Sequence, residues 1–296
     1  MARLRVQVPA TTANVGSGFD CIGMALHSYD ELELETTSDP DVLEIQVRGE
    51  GADSVPRGET HLVVASIRRG LAAWGAETPG LRLRCHNRIP HSRGLGSSAA
   101  AIVGGLALAW GIAHPERELD LPELTRISSK IEGHPDNAGA AVWGGAILAW
   151  FDDDSVKLVQ LKVAPELSTL VWIPAFEVPT AGARSVLPET VPRLDAVAQA
   201  MAAATLPMAL SHRHDLLLAA TRDRLHQDYR ASLMRSSHTL VANLRKRGVP
   251  ATISGAGPTV FAIGTKQQLE ASSEVPAMGF EMRSLRPGNG VSLQHL

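Results

Sequence analysis

The stretch Ile89-Pro90-His91-Ser92-Arg93-Gly94-Leu95-Gly96-Ser97-Ser98-Ala99-Ala100-Ala101 places two glycines and a pair of serines directly before an apolar segment of small residues. That segment, residues 102–110, is rich in Ala, Gly and Leu and is typical of a helix. Backbone N–H groups at a helix N-terminus attract anions, and glycines let the backbone approach a phosphate closely. The pattern predicts a phosphate-binding loop, although a serine-capped turn before a buried helix explains these residues equally well.

Composition limits the classes of function that the chain can have. The chain has 296 residues, which is enough for two modest domains, and its formal net charge of −3 gives no broad basic surface for nucleic acid. Its five Phe, five Trp and two Tyr offer few platforms for stacking bases. Cys21 and Cys85 form no Cys-x-x-Cys pair, and no apolar run reaches membrane-spanning length. We therefore expect a cytoplasmic protein without nucleic acid or membrane partners; a homodimer is compatible with the sequence.

Two other stretches collect polar residues against an apolar background. Residues 9–20, the first loop, are mostly small and hydroxylated and end at Asp20, and residues 132–145 begin with a polar cluster. The polar residues of that cluster are Glu132, His134, Asp136 and Asn137. Thr, Asn and Asp side chains supply donors and acceptors for a small polar ligand. The alternatives are a plain connecting loop in the first stretch and a capped Ala-rich helix in the second.

Hydrophobic periodicity predicts a chain of mixed strands and helices. It predicts a first strand over 3–8 that ends at Pro9, a helix over 62–74 and a long helix over 225–247, with a change of composition near residue 155. Further strands are expected at 42–47, 81–85, 146–151, 167–173 and 278–285, and further helices from Asp120 and over 194–204, 207–221 and 267–274. Residues 251–263 resemble a strand, a glycine turn and a second strand.

Three separated segments, residues 9–20, 90–101 and 252–260, closely resemble the three motifs of the GHMP kinase superfamily. The first loop and the motif Glu132-Gly133-His134-Pro135-Asp136-Asn137 further resemble the homoserine kinase family within it. The resemblance covers nearly the whole chain. It implies an α+β fold of two-layer α/β sandwiches, with an N-terminal ATP-binding domain like ribosomal protein S5 domain 2 (residues 1–155) and a ferredoxin-like C-terminal domain (residues 156–296).

The resemblance also implies an activity: phosphoryl transfer from ATP to the hydroxyl of L-homoserine, a step toward threonine, with Mg²⁺ as cofactor. It assigns ATP binding to Pro90, His91, Ser92, Arg93, Gly94, Leu95, Gly96, Ser97, Ser98, Ala99, Ala100 and Ala101. It assigns homoserine binding to Asn14, Asp20, His134, Asn137, Arg184 and Arg230. Ser98 and Glu132 would hold Mg²⁺, and the catalytic residues would be Ser98, Glu132 and Asn137.

Two positions bear on how closely the chain follows the family pattern, and two alternative functions are weighed against it. His61 stands where the family commonly has an asparagine near the adenine. Asn137 replaces the aspartate base of some superfamily members, so the γ-phosphate itself is the expected proton acceptor. A kinase for mevalonate or a sugar is the alternative among enzymes, and a catalytically silent binding protein is the alternative outside them. The first loop, the arginine pair, Glu132 and the serine pair argue against both.

Overall fold

The computed structural model has two β-sheets covered by helices, and it describes residues 1–296 apart from the side chain of residue 181. The strands are β1 (Arg3–Ala13), β2 (Ile22–Thr37), β3 (Leu43–Gly49), β4 (Gly80–Asn87), β5 (Ala146–Asp152), β6 (Ser155–Leu161), β7 (Leu167–Pro174), β8 (Ala251–Ile253), β9 (Val260–Thr265), β10 (Phe280–Ser284) and β11 (Ser292–His295). The helices are α1 (Leu62–Ala73), α2 (Ser97–Ala113), α3 (Leu121–Glu132), α4 (Pro135–Trp143), α5 (Thr180–Ser185), α6 (Arg193–Ser211), α7 (Leu217–Ala220), α8 (Gln227–Arg230), α9 (Arg235–Lys246) and α10 (Lys266–Glu270).

The first sheet has the strand order β11-β1-β2-β4-β3, with β5 paired to β2 and β6 paired to β5. Strand β3 runs parallel to β4, and the other pairs are antiparallel. The alternation of β1 directs Leu4, Val6 and Val8 into the core, where each is fully buried. Helices α2 and α4 pack on β1, and α1 and α3 pack beside α2. The second sheet is antiparallel, in the order β10-β7-β9-β8, so the α+β class is confirmed.

Small residues in α2 let its backbone lie against its neighbours. A Cβ atom on Gly105 would lie 2.6 Å from the carbonyl oxygen of Val63 in α1, and one on Gly104 would lie 2.5 Å from a methyl carbon of Leu32 in β2. Twelve residues of α2 are buried, which makes it the central helix of the first layer. The N-terminus of α2 is therefore held firmly at the position where the glycine loop (residues 90–101) enters it.

The structure corrects the predicted end of the first strand and three predicted helices. Pro9 does not end β1, because a register shift between Pro9 and Ala10 places the residue without an N–H at a bulge. The predicted helix over 225–247 is broken at residues 231–234 between α8 and α9. The predictions over 194–204 and 207–221 are also wrong, because α6 runs through Pro207 and ends at Ser211.

Strands from both sides of the predicted domain division join the first sheet. Strand β6 pairs with β5, and the C-terminal strand β11 pairs with β1. One hydrophobic cluster also joins Leu4 of the first sheet to Phe261 of the second. The division into residues 1–155 and 156–296 stays a prediction.

Helix α6 is long and apolar enough, by length and composition alone, to cross a membrane, which the sequence analysis did not expect. Its apolar character comes largely from alanines. The side chain of Gln199 is buried and donates a hydrogen bond to the Ser17 carbonyl at 2.7 Å and accepts one from Arg224 N–H at 2.7 Å. These contacts join one face of α6 to the first loop and to the segment before α8, while 28% of its apolar window is buried.

Candidate functional site

The three segments with functional motifs meet in the folded chain and are hydrogen-bonded to one another. Thr11 N–H in the first loop donates to the Leu95 carbonyl at 3.0 Å, and Gly255 N–H donates to the Ala13 carbonyl at 2.9 Å. The Ser254 hydroxyl donates to the Gly94 carbonyl at 2.6 Å. The turn of residues 254–258 between β8 and β9, the Gly255 turn, thus supports the glycine loop from the side of the second sheet.

The glycine loop needs its glycines for both conformation and space. Gly94 and Gly96 each have a φ of 72°, in the left-handed region. A Cβ atom on Gly94 would lie 2.2 Å from the carbonyl oxygen of Ser254, and one on Gly96 would lie 1.9 Å from the Thr11 hydroxyl. Helix α2 begins at Ser97, directly after this loop, so its first N–H groups point toward the loop without partners inside the helix.

Two cavities meet at the glycine loop. The His61 cavity, with a volume of about 250 Å³, is bounded on its apolar side by Val55, Pro56, Leu62 and Val63. The Arg230 cavity, about 140 Å³, is lined by the charged residues Asp20, Glu132, His134, Asp136, Arg184 and Arg230. Ser92, Ser97 and Ser98 line both cavities. One long molecule can therefore lie in the His61 cavity and present its end to a small polar molecule in the Arg230 cavity.

Opposite charges face each other in the Arg230 cavity. Arg184 in α5 forms two hydrogen bonds to Asp20, at 2.9 and 3.3 Å. Arg230 at the end of α8 is 2% exposed and still lines the cavity. Because the cavity offers the Asp20 carboxylate and two guanidinium groups, it suits a ligand that carries both an ammonium group and a carboxylate.

Asn14 and Asp20 hold the first loop in a strained shape. Both have a φ near 55° (54° and 55°), which non-glycine residues seldom adopt. The Asn14 amide donates to the Gly255 carbonyl at 2.9 Å and accepts from Asp20 N–H at 2.8 Å. The side chain of Asn14 thus ties Asp20 to the Gly255 turn, and it also lines the Arg230 cavity.

A chain of polar groups runs from the end of α3 into α4. His134 lies between two carboxylates, with its Nδ1 2.9 Å from Asp136 and its Nε2 3.7 Å from Glu132. Burial acts to lower the pKa of His134, but the hydrogen bond and the charge of Asp136, with the charge of Glu132, outweigh it and raise that pKa. Asp136 also accepts Asn137 N–H at 2.7 Å, and the Asn137 side chain accepts the Thr11 hydroxyl at 2.7 Å.

Glu132 fits the role of a cation ligand. Its Oε1 is buried and has no hydrogen-bond partner among the side chains that the structure describes. The same cavity is lined by Ser98, whose hydroxyl could supply a further oxygen to a cation. The described residues contain no group of three His, Cys, Asp or Glu arranged for a metal ion. Mg²⁺ is commonly held by one or two carboxylates together with substrate phosphates, so these two residues fit it.

Buried titratable groups also line the His61 cavity. His61 is 5% exposed, its Nδ1 has no partner in the described part of the chain, and burial lowers its pKa. Asp30 accepts Arg88 N–H at 2.6 Å and Ile89 N–H at 2.9 Å, at the start of the glycine loop. Burial raises the pKa of Asp30 to about 6, against these two hydrogen bonds.

The fold brings together most of the residues that the sequence analysis selected. Those that line the Arg230 cavity are Asn14, Asp20, Ser92, Gly94, Gly96, Ser97, Ser98, Ala99, Glu132, His134, Asn137, Arg184 and Arg230. Those that line the His61 cavity are His91, Ser92, Ser97, Ser98, Ala100 and Ala101. Of the described selected residues, Pro90, Arg93 and Leu95 line neither cavity. Their assigned roles stay predictions.

Arg93 points away from both cavities and connects the glycine loop to the second sheet. Its guanidinium donates to the carbonyls of Pro174 at 3.0 Å and Ala175 at 2.8 Å and pairs with Glu177 at 3.0 Å. Sequence reasoning missed Asp30 and Thr180 among the polar lining residues. The order of polar and apolar residues around these two gives no local signal of a site.

Family models match both halves of the chain. Residues 61–145 match the GHMP kinases N terminal domain, and residues 196–279 match the GHMP kinases C terminal domain. The first match contains the glycine loop and the Glu132 cluster. The second contains Arg230 and the Gly255 turn.

Full-length relatives place the chain more narrowly. A homoserine kinase from Cutibacterium acnes is 52% identical over 97% of this chain and 98% of that protein, and one from Rhodococcus opacus is 46% identical over 96% and 95%. The crystal structure of homoserine kinase from Cytophaga hutchinsonii superposes with a TM-score of 0.83 at 26% identity, covering 99% of this chain and 98% of that one. The resemblance drawn from the motifs is confirmed: the chain belongs to the GHMP kinases and, within them, to the homoserine kinase family.

Proposed function

We propose that this protein transfers the γ-phosphoryl group of ATP to the side-chain hydroxyl of L-homoserine, giving ADP and O-phospho-L-homoserine. The observation that carries the proposal is the meeting of the two cavities at Ser92, Ser97 and Ser98. The apolar side of the His61 cavity suits a purine, and the charged Arg230 cavity suits an amino acid. The serine-lined junction between them is where a γ-phosphate and a hydroxyl would meet.

The amino acid is recognised through its two charged groups. Asp20 would bind the ammonium group, and Arg184 and Arg230 would bind the carboxylate. Asp20 and Arg184 are paired with each other in the structure. The zwitterion would therefore enter a cavity whose charges already compensate one another. This arrangement favours an amino acid over mevalonate, which has no ammonium group for Asp20, and over a neutral sugar.

Phosphoryl transfer has a loose transition state, so positioning and neutralisation of charge supply most of the catalysis. The backbone N–H groups of the glycine loop and the N-terminus of α2 would hold the phosphates, together with the Ser98 hydroxyl. Glu132 and Ser98 would hold Mg²⁺, which when bound supplies positive charge to the phosphate oxygens. The raised pKa of His134, which comes from Asp136 and Glu132, favours a cationic imidazole beside them.

No side-chain base is required for the homoserine hydroxyl in this scheme. The amide of Asn137 is not basic, and its oxygen already accepts the Thr11 hydroxyl. The Asp136 carboxylate is 1% exposed and is engaged by His134 and by Asn137 N–H. We therefore assign the hydroxyl proton to a γ-phosphate oxygen, and Asp136 to the positioning of its two neighbours.

An assay of ADP release tests the proposed function. L-Homoserine, L-threonine, L-serine, mevalonate and galactose are compared as acceptors, and the product is identified by ³¹P NMR. We expect the highest kcat/KM with L-homoserine. An equal or higher value with mevalonate or galactose would contradict an amino-acid acceptor. Tight binding of Mg-ATP without turnover of any acceptor would indicate a silent binding protein.

The finer biological assignments follow from this reaction. Its product is a precursor suited to threonine biosynthesis, and its substrates are small and water-soluble, which supports a cytoplasmic place of action. A homodimer stays a prediction, to be measured by light scattering coupled to gel filtration.

A further inference from the structure

A buried cluster lies directly behind Arg230 and has no part in the reaction as derived above. It consists of Phe19 in the first loop and of Asp223 and His226 on the segment that leads into α8. His226 is fully buried, and its ring stacks on Phe19 with 5.0 Å between ring centroids and 22° between planes. The Arg230 guanidinium carbon lies 5.7 Å from the centre of the same Phe19 ring.

The hydrogen bonds of Arg230 determine which of its nitrogens faces the cavity. Its Nε donates to the Ala183 carbonyl in α5 at 2.8 Å, and its Nη1 lies 2.9 Å from Nδ1 of His226. A longer contact of 3.4 Å joins Nη1 to the Gly255 carbonyl. Among the residues that the structure describes in full, Nη2 has no hydrogen-bond partner. Since Arg230 lines the cavity, Nη2 is the nitrogen left for a ligand.

The contact between Arg230 and His226 defines the protonation state of the histidine. Arginine is a donor only, so Nδ1 of His226 must accept, which requires a neutral ring with its proton on Nε2. Nε2 has no hydrogen-bond partner in the described part of the chain, and the nearest carboxylate oxygen, on Asp223, is 3.7 Å away. Burial lowers the pKa of His226 to about 4, although the charge of Asp223 acts to raise it.

Asp223 holds the histidine backbone in place. Its carboxylate accepts the N–H groups of Leu225 at 3.1 Å, His226 at 2.9 Å and Gln227 at 2.8 Å. With three N–H groups on one carboxylate, the backbone around His226 has little freedom to turn. These bonds restrain the backbone of His226, and the stacking on Phe19 restrains its ring.

We propose that His226 is a positioning residue for amino-acid recognition: its neutral Nδ1 accepts from Nη1 of Arg230 and so directs Nη2 toward the substrate carboxylate. The inference rests on the proposed function, because it assigns Arg230 to the carboxylate. An arginine side chain has many rotamers, and bonds at Nε and Nη1 together restrain the guanidinium plane. Without the acceptor, the plane is held by the Nε bond and by the longer contact of Nη1 with the Gly255 carbonyl, and the carboxylate loses a firmly pre-oriented partner.

Two substitutions of His226 distinguish its role as a hydrogen-bond acceptor from the stacking of its ring on Phe19. His226→Phe keeps a ring on Phe19 but removes the acceptor, and His226→Asn loses the ring but places an amide oxygen near the position of Nδ1. We expect His226→Phe to raise KM for L-homoserine about 10- to 100-fold, the range for a lost hydrogen bond to a charged group, with kcat and KM for ATP little changed. His226→Asn is expected to recover most of the affinity. His238→Phe, at a half-exposed histidine on α9, is the matched control.

A competitor without a carboxylate distinguishes positioning from general damage. The compound 3-aminopropan-1-ol has the ammonium and hydroxyl groups of homoserine but no carboxylate. Its inhibition constant against L-homoserine should be the same in the wild type and in His226→Phe. An equal loss of affinity for both compounds, or an unchanged KM for L-homoserine in His226→Phe, would overturn the proposal.

The wild-type protein supplies a test that needs no substitution. With ¹⁵N-labelled histidine, NMR should show His226 protonated on Nε2 and unprotonated on Nδ1 at neutral pH. A proton on Nδ1 would overturn the proposal even if His226→Phe does not fold. Failure of the wild type to phosphorylate L-homoserine would instead refute the proposed function, so the two failures are distinguishable.

Discussion

The carboxylate of Glu132 is the clearest unsatisfied group at the residue scale. Its Oε1 is buried without a partner among the described side chains, at the end of a helix and beside the glycine loop. A buried anionic oxygen without a hydrogen bond is costly unless a cation binds it. This buried, unpartnered oxygen is the reason for proposing Glu132 as a cation ligand.

Removal of that charge should impair catalysis. For Glu132→Gln we expect kcat to fall about 100-fold or more, with a higher Mg²⁺ concentration at half-maximal rate, because a charged ligand of the Mg²⁺ that neutralises the phosphates is lost. Initial rates against Mg²⁺ at saturating ATP and L-homoserine measure both. Glu123→Gln, on the first turn of the same helix and paired with Arg126, is the control. Wild-type rates in Glu132→Gln would contradict the assignment.

The carboxylate of Asp136 tests the route of the proton. A general base contributes about 10²- to 10⁴-fold to a rate. Because we assign Asp136 to positioning, Asp136→Asn should retain turnover, with kcat lowered by no more than about tenfold. Steady-state kinetics and equilibrium binding of ATP and L-homoserine give the answer. If turnover is abolished while both affinities are intact, the scheme without a base fails.

Asp30 makes stability depend on pH. Its pKa in the folded chain is raised from 3.8 to about 6, so the native state binds the proton more tightly than the unfolded state. This contribution to stability is complete below about pH 4 and is lost as pH rises through about 6. The Asp30→Asn variant lacks this contribution. As pH rises between these limits, its free energy of unfolding should therefore increase by about 2–3 kcal/mol relative to that of the wild type. Urea unfolding at several pH values measures the change; a difference independent of pH would contradict it.

At the scale of elements, the glycine loop, the first loop and the Gly255 turn form one interlocked unit. Each of the two other segments bonds directly to the loop: Thr11 N–H donates to Leu95, and the Ser254 hydroxyl donates to Gly94. The geometry of the glycine loop therefore depends on contacts made by a turn in the other half of the chain.

Two glycines with the same backbone conformation test this dependence. Gly94 and Gly75 have φ values of 72° and 64°, but a Cβ atom on Gly94 would lie 2.2 Å from the Ser254 carbonyl oxygen, whereas one on Gly75 meets nothing within 4 Å. Gly75→Ala should cost only about 1 kcal/mol for the left-handed conformation. Gly94→Ala should lower the stability several times more and weaken ATP binding, because the backbone at Ser254 must move to make room. Thermal unfolding and ATP titration measure both; equal effects would contradict the interlocked arrangement.

At the scale of the whole molecule, the two sheets share one core. The cluster that contains Leu4 and Val6 of β1 also contains Val171 of β7 and Phe261 and Ile263 of β9. Strand β11 returns the end of the chain to the first sheet, where Leu293 lies opposite Val6. The two halves are therefore joined by packing and by backbone pairing as well as by the linking chain.

This shared core predicts a single cooperative unfolding transition. Calorimetry should show one transition, because unfolding of either half exposes apolar surface of the other. Mg-ATP and L-homoserine together should raise the midpoint of that one transition, since both bind the folded state. Two separable transitions, of which ligands move only one, would contradict the shared core.

The regular elements and the motifs could be read from the sequence to a large extent. The alternation in β1, the helical periodicity of α1 and the start of α3 at Asp120 are local properties, and each appears as expected. The predicted strand end at Pro9 and the predicted single helix over 225–247 are wrong, because a bulge and a break in a helix depend on neighbouring strands and loops. The selected site residues gather around two cavities, but their roles stay predictions.

The sequence by itself determined the residue types of the site and the positions of its three motifs. Spacing, turn chemistry and helix capping act over a few residues and are therefore visible in the chain. Only the tertiary structure decided which distant groups meet. Arg184 reaches Asp20 across 164 residues, and Ser254 reaches Gly94 across 160. Such pairs follow from the packing of both sheets on one core. The same packing buries His226 and keeps it neutral against Arg230, because exclusion of solvent is a property of the whole fold.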